Sequence, residues 1–155
     1  MANAFIQKEV TKIIEDKKYD YPLNLAMASA WILANFKGIN LKIFETKGSS
    51  LCDYNIIASA QNTTQARSMI DEIQYALRQN GVSTYSLEGT TEAEWILLDM
   101  GDIIVHVFQE NSRDIFDLDL LWKDYNQVQI PQEFYFSNVL DANKTNKDET
   151  SENYF

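Results

Sequence analysis

The sequence predicts an α/β fold, a two-layer domain with a mixed five-stranded sheet and helices packed on it. Three observations carry that prediction. Apolar residues alternate with a period of two on both sides of a glycine turn near residue 101. They recur at helical spacing between a capping residue at 62 or 63 and Gly81. The elements also run in the order β–β–α–β–β–β behind a leading helix, which favours one sheet covered by helices. A chain of 155 residues is long enough for one hydrophobic core and too short for two domains of ordinary size.

Phe5 to Lys18 carries Ile6, Val10, Ile13 and Ile14 among charges, a short helical stripe. Pro22 suits the first turn of a second helix and Gly38 its end. That helix, Leu23 to Lys37, is apolar nearly all round, through Leu25, Ala26, Met27, Ala30, Trp31, Leu33, Ala34 and Phe36. It must be covered on more than one side, by the sheet and by either the first helix or a second copy of the chain. Asn40 to Thr46 reads as a strand, Gly48, Ser49 and Ser50 as a loop, and Asp53 to Ala60 as a second strand. Asn62 or Thr63 caps a helix that buries Ala66, Met69, Ile70, Ile73, Ala76 and Leu77 and stops at Gly81. Val82 to Leu87 is a short strand.

Glu94 to Phe108 then reads as two apolar strands joined by a tight turn. With Met100 and Gly101 as the loop, Asp99 pairs with Asp102, Leu97 with Ile104 and Trp95 with His106. Side-chain alternation puts these residues and Phe108 on one face, and Ile96, Leu98, Ile103, Val105 and Val107 on the other. The aliphatic face should be core, which leaves the aromatic and polar face free for a partner. Met100 at the apex would stand clear of the sheet, either as an incidental exposed side chain or as a soft, adaptable contact. Beyond the hairpin, Ser112 to Phe116 forms a helical turn, and Leu118, Leu121 and Trp122 an apolar clamp. Past Asp124, Val128, Ile130, Phe134, Tyr135, Phe136, Val139 and Leu140 make a surface extension, followed by a disordered tail from Asn143. The predicted organisation is an extension over residues 1–22, a domain over 23–124, and a second extension over 125–155.

Composition narrows the function. The chain is 45% hydrophobic and carries a formal net charge of −10. Binding to nucleic-acid phosphate needs clustered Lys and Arg, which the sequence lacks. A basic protein partner suits it better, because opposite charge speeds encounter. A lone Cys52 rules out an internal disulfide and a cysteine-based zinc site. No signal peptide is expected, and the apolar run Leu23 to Phe36 is too short for a bilayer, so a soluble cytoplasmic protein is predicted.

Three chemistries are conceivable for these residues. A metal held by Asp99, Asp102 and His106 fails on distance, since His106 lies four residues along a strand from Asp102, roughly 13 Å. Gly48-Ser49 before Asp53-Tyr54-Asn55 has the order of a nucleotidyltransferase site, with Asp53 and Asp99 as magnesium-binding carboxylates. A neutral Asn55 where a second Asp is needed, and a Gly-Ser turn only four residues before Asp53, make it a poor one. Cys52 has only His106 to activate it, and nothing in the sequence places the two together. No catalytic residue, metal or cofactor is therefore predicted.

Glu88-Gly89, the run Glu94 to Phe108, Arg113, Asp117-Leu118 and Leu121-Trp122 resemble the ribosomal silencing factor family, also called Iojap or RsfS. Trp95, the Asp99-x-Gly101-Asp102 turn, Val105-His106-Val107 and the closing Leu-Trp fall at the family's spacings. Ser49-Ser50, Asp53 and the Ile56-Ile57 strand fit as well, so the resemblance covers about Leu23 to Trp122. Ala60, Thr64 and Phe116 depart from the family's usual Gly, basic residue and Tyr. The resemblance implies a nucleotidyltransferase-like fold without the activity, and a homodimer that binds the large ribosomal subunit. It implies docking on the large-subunit protein numbered fourteen, which sterically blocks joining of the small subunit and lowers translation when nutrients are short. By position it assigns partner contacts to Trp95 and Met100, surrounded by Asp99, Gly101, Asp102 and His106. Two other readings fit the sequence: a nucleotide-binding enzyme using Asp53 and Asp99, and a hairpin face that serves as the dimer interface.

Overall fold

The computed structural model describes residues 4–48 and 52–136. Its elements run α1 (Ala4–Glu15), α2 (Leu23–Asn35), β1 (Ile39–Glu45), β2 (Tyr54–Ala60), α3 (Thr63–Gln79), β3 (Ser86–Glu88), β4 (Trp95–Asp99), β5 (Ile103–Gln109), α4 (Glu110–Phe116), α5 (Leu118–Leu121), β6 (Asn126–Val128) and α6 (Glu133–Phe136). The strands form one mixed sheet in the order β3-β4-β5-β2-β1-β6, in which only β2 and β5 run parallel. The sheet thus has six strands where five were predicted. The extra one, β6, is the three-residue segment Asn-Gln-Val paired antiparallel to the edge of β1. Three residues cannot display an alternation, and here the neighbouring strand supplies the register. Val139, Leu140 and the tail from Asn143, like Ser49 and Ser50, lie outside the described residues.

Local chemistry sets the helices. The side chain of Asn62 accepts from the Gln65 N–H at the start of α3, and the whole predicted stripe from Ala66 to Leu77 is buried. At its end Gly81 takes a φ of +82°, and the N–H of Val82 reaches back to the Leu77 carbonyl. Val82 therefore still belongs to the helix terminus, which is why β3 begins only at Ser86.

α2 is buried at every position from Leu25 to Asn35. Its polar members satisfy themselves along the helix, Ser29 on the Leu25 carbonyl and Asn35 on that of Trp31. The cover opposite the sheet is α1, through Ile6, Val10 and Ile13, with Phe134 of α6 joining the same core. Two details at the ends of α2 differ from the prediction. Pro22 precedes the helix as its N-cap. At the other end Lys37, not Gly38, adopts the left-handed conformation, with φ +65°. Gly38 is required for space, since a Cβ there would stand 2.8 Å from the Leu33 carbonyl oxygen.

The two sheet faces differ in kind. Ile56, Ala58, Ile96, Leu98, Ile103, Val105 and Val107 pack with α2 and α3 in the main core. Phe44, Ile57, Phe108 and Leu118 form a small second cluster on the opposite face, where α4 and α5 lie over part of the sheet. That adds a third layer to the predicted two.

Candidate functional site

The hairpin is offset by one residue from the predicted loop. Asp99 pairs with Ile104, Leu97 with His106 and Trp95 with Phe108. The Met100 N–H bonds to the Ile103 carbonyl at 3.0 Å, so Gly101 and Asp102 are the turn. Gly101, with φ +94°, holds the first turn position, where a type II′ hairpin requires glycine. Two anchors set this register. The Asp99 carboxylate accepts the Gly101 N–H at 2.9 Å, and the Asp102 carbonyl accepts the N–H groups of Asp53 and Tyr54 at the start of β2.

Shifting the loop by one residue changes which pairs face each other but not which side each strand residue takes. The predicted faces therefore hold, with two corrections. Asp102 leaves the face for the turn. Met100 falls into the aliphatic series after Ile96 and Leu98, and is 4% exposed in the main core. It does not protrude, and its thioether is not offered at the apex.

The tip is dressed by residues outside the motif. The Tyr21 hydroxyl, from the α1–α2 connection, donates to the Asp102 carboxylate, and that bond raises the phenol to about 12. Tyr85 lies against Gly101, where a Cβ would come within 2.6 Å of its ring. Both tyrosines are largely exposed. In the structure both lie in connections, Tyr85 just ahead of β3 although the sequence reads Val82 to Leu87 as a strand, and no sequence signal marks their contacts with the turn.

Behind the tip, His106 is buried. The Trp95 Nε1–H donates to His106 Nδ1 at 3.1 Å, and His106 Nε2 lies 2.9 Å from Asn55 Oδ1. An indole N–H only donates, so Nδ1 must accept and the proton sits on Nε2. Burial pushes this imidazole down to about 4, and it is neutral at physiological pH. The His106 and Trp95 rings are tilted, with centroids 6.0 Å and planes 39° apart. Trp95 stacks on Phe108, centroids 5.0 Å apart, and meets Phe116 at 4.8 Å. Trp122 closes the other side against Phe44 and His106.

Arg113 fastens this layer to the sheet. Its guanidinium is buried, grips Asp119 through two hydrogen bonds of 3.0 Å and reaches Ser59 Oγ with its remaining arm. Burial raises the Asp119 carboxyl, but hydrogen bonds from Arg113 and Lys42 outweigh that and bring it down to about 2. Asp117, in the left-handed region at φ +46°, turns the chain between α4 and α5 and caps α5 on the Leu120 N–H. Of the predicted clamp, Leu118 is buried and Trp122 half-buried, but Leu121 points outward.

The result is a half-buried indole with Leu97 and Ile104, also half-buried, on the neighbouring positions of β4 and β5. Exposed Phe116 lies beside it, and Asp99 and Asp102 mark the turn end. Apolar area inside a polar margin suits docking. The arrangement offers little to a reaction. Both imidazole nitrogens are committed, and Asp99 is tied to its own turn. Among the described residues no three His, Cys, Asp or Glu side chains gather as a metal site.

Comparison with known proteins places the chain in a family. The family model described as "Ribosomal silencing factor during starvation" matches residues 20–154. The chain is 27% identical over 130 residues to ribosomal silencing factor RsfS of Halalkalibacterium halodurans, covering 84% of this chain and 96% of that one. It is 33% identical over 91 residues to the Haemophilus influenzae protein of the same name, covering 58% and 89%. A 28% identical stretch of 97 residues matches an Iojap-related mitochondrial protein of Arabidopsis thaliana, covering 59% and 52%. A crystal structure from Bacillus halodurans superposes with a TM-score of 0.60 at 27% identity, covering 68% of this chain and 96% of that one. Another from Chromobacterium violaceum gives 0.60 at 26%, covering 81% and 89%. The chain belongs to the ribosomal silencing factor family, RsfS.

Proposed function

We propose that this protein is a translational repressor that binds the large ribosomal subunit and sterically blocks joining of the small one. It docks on a basic large-subunit protein, the one numbered fourteen, with the Trp95 face at the centre of the contact. The single observation that supports this most is the half-buried Trp95, braced from below by His106 and Phe108 and bordered by acidic residues. A braced aromatic inside a polar margin is the usual form of an interface anchor, and a chain of net charge −10 suits a basic partner.

In this reading Trp95, Asp99, Gly101 and Asp102 meet the partner, while His106 and Met100 shape the surface from beneath. Residues 23–124 carry the docking function, with 1–22 and 125–155 as additions. The protein works in the cytoplasm as a homodimer, on a fold of nucleotidyltransferase type that does no chemistry. Co-sedimentation with purified large subunits through a sucrose gradient tests it. The wild-type protein should travel with the subunit and reduce its joining to small subunits. Wild-type protein left at the top of the gradient would refute the reading.

A further inference from the structure

Beneath Trp95 the hydrogen bonds continue in one direction. The Trp95 indole donates to His106 Nδ1 at 3.1 Å, and His106 Nε2 sits 2.9 Å from Asn55 Oδ1. The Asn55 amide donates to Thr46 Oγ1 at 3.0 Å, and the Thr46 hydroxyl donates to the Cys52 carbonyl at 3.0 Å. His106, Asn55 and Thr46 are all buried.

Chemistry leaves this relay one polarity. Tryptophan can only donate, so Nδ1 accepts and Nε2 carries the proton. Nε2–H then needs an acceptor, which is the amide oxygen of Asn55. At the other end the Cys52 carbonyl can only accept, so the Thr46 hydroxyl donates to it and accepts from the Asn55 amide, which turns Oδ1 towards Nε2. An aspartate at position 55 would still accept from Nε2–H, but it would lose the donor to Thr46 and add a negative charge beside the ring. It would favour a doubly protonated imidazolium, whose Nδ1–H would then point at the indole N–H, donor against donor. The asparagine that spoils a carboxylate pair at Asp53-Tyr54-Asn55 thus has a purpose of its own.

We infer that Asn55 is a positioning residue of the docking face, fixing the tautomer of His106 and through it the pose of the Trp95 indole. Its relevance to ribosome binding rests on the reading proposed above. The position of the indole does not. In wild-type protein at pH 7, nitrogen-15 NMR of the imidazole should show a proton on Nε2 only, and the Trp95 indole N–H should resonate as a hydrogen-bonded donor. Asn55→Asp should protonate both imidazole nitrogens and move the indole N–H to its solvated position, with binding to large subunits weakened by about tenfold. Thr46→Val, which frees the Asn55 amide to flip its NH2 towards Nε2, should instead shift the single imidazole proton from Nε2 towards Nδ1 and likewise release the indole N–H. It serves as the test should Asn55→Asp fail to fold. An unchanged tautomer and indole signal in the folded variants would overturn the inference. If wild-type protein does not bind large subunits while the spectra change as stated, the docking reading alone falls.

Discussion

On β5 the residues Ile103, Val105 and Val107 face α2 and α3, while Ile104, His106 and Phe108 face the other way. The first series is wholly aliphatic, and so are its neighbours Ile96, Leu98, Ile56 and Ala58. The side chains on that side are sealed by two helices and a third above them. The second series sits among rings, an amide and an ion pair, under a partial cover of α4 and α5. The same strands thus carry a face that holds the fold together and a face whose shape depends on directed contacts. Hydrophobic burial is non-directional and tolerates repacking, whereas a hydrogen-bonded aromatic surface fixes the angle of each group. A surface that must fit one partner is better made from the second kind.

That contrast can be broken experimentally. Leu98→Ala removes a fully buried side chain from the aliphatic face and should cost about 2–5 kcal/mol in chemical unfolding. Leu97→Ala, one residue away on the open face, should cost less than about 1 kcal/mol. Equal costs would mean that the two faces are not specialised.

Acid provides the second probe. The buried His106 has its pKa lowered to about 4 in the folded protein, against about 6.5 when unfolded. The unfolded chain therefore binds the extra proton first. The contribution is full above about pH 6.5 and is lost as pH falls towards 4, by on the order of 3 kcal/mol in total. His106→Phe should flatten the pH dependence of the denaturation midpoint over that interval. Asp119 works at lower pH. Its stabilisation is present above its ordinary value of 3.8 and is lost as the pH falls to about 2.

The smallest effect is expected at the turn. Tyr21→Phe removes one partly solvated hydrogen bond to Asp102 and should cost about 1 kcal/mol or less. It should also abolish the tyrosine that ionises near pH 12 in an ultraviolet titration. Loss of a phenol that ionises at the ordinary value of 10.0 would show that the tip is not pinned from the α1–α2 connection.

Much of this architecture was legible from residue types and spacing. Asn62, the stripe from Ala66 to Leu77 and Gly81 define α3 without any tertiary information, because cap, face and stop are all local. Alternation sorted the hairpin residues into their two faces correctly for the strands. It could not fix the loop, because moving the turn by one residue preserves the parity of every strand position. The register was settled by the Asp102 carbonyl bonding across to Asp53 and Tyr54, a contact between segments far apart in sequence. Met100 followed that register into the core. Asn55 looked like the weakness of an enzyme site, because its partners, His106 and Thr46, are brought together only by the pairing of β2 with β5 and β1. Tyr21, Tyr85 and β6 were invisible for the same reason. Their roles come from what they meet, not from a pattern they carry.

The most direct test of the account is to compare wild-type protein with Trp95→Ala for binding to isolated large ribosomal subunits, with melting temperature measured in parallel. An anchor of this kind is worth on the order of 2 kcal/mol, so affinity should fall about thirtyfold while the variant remains folded. Wild-type affinity in a folded Trp95→Ala variant would contradict the claim that this face is the docking surface.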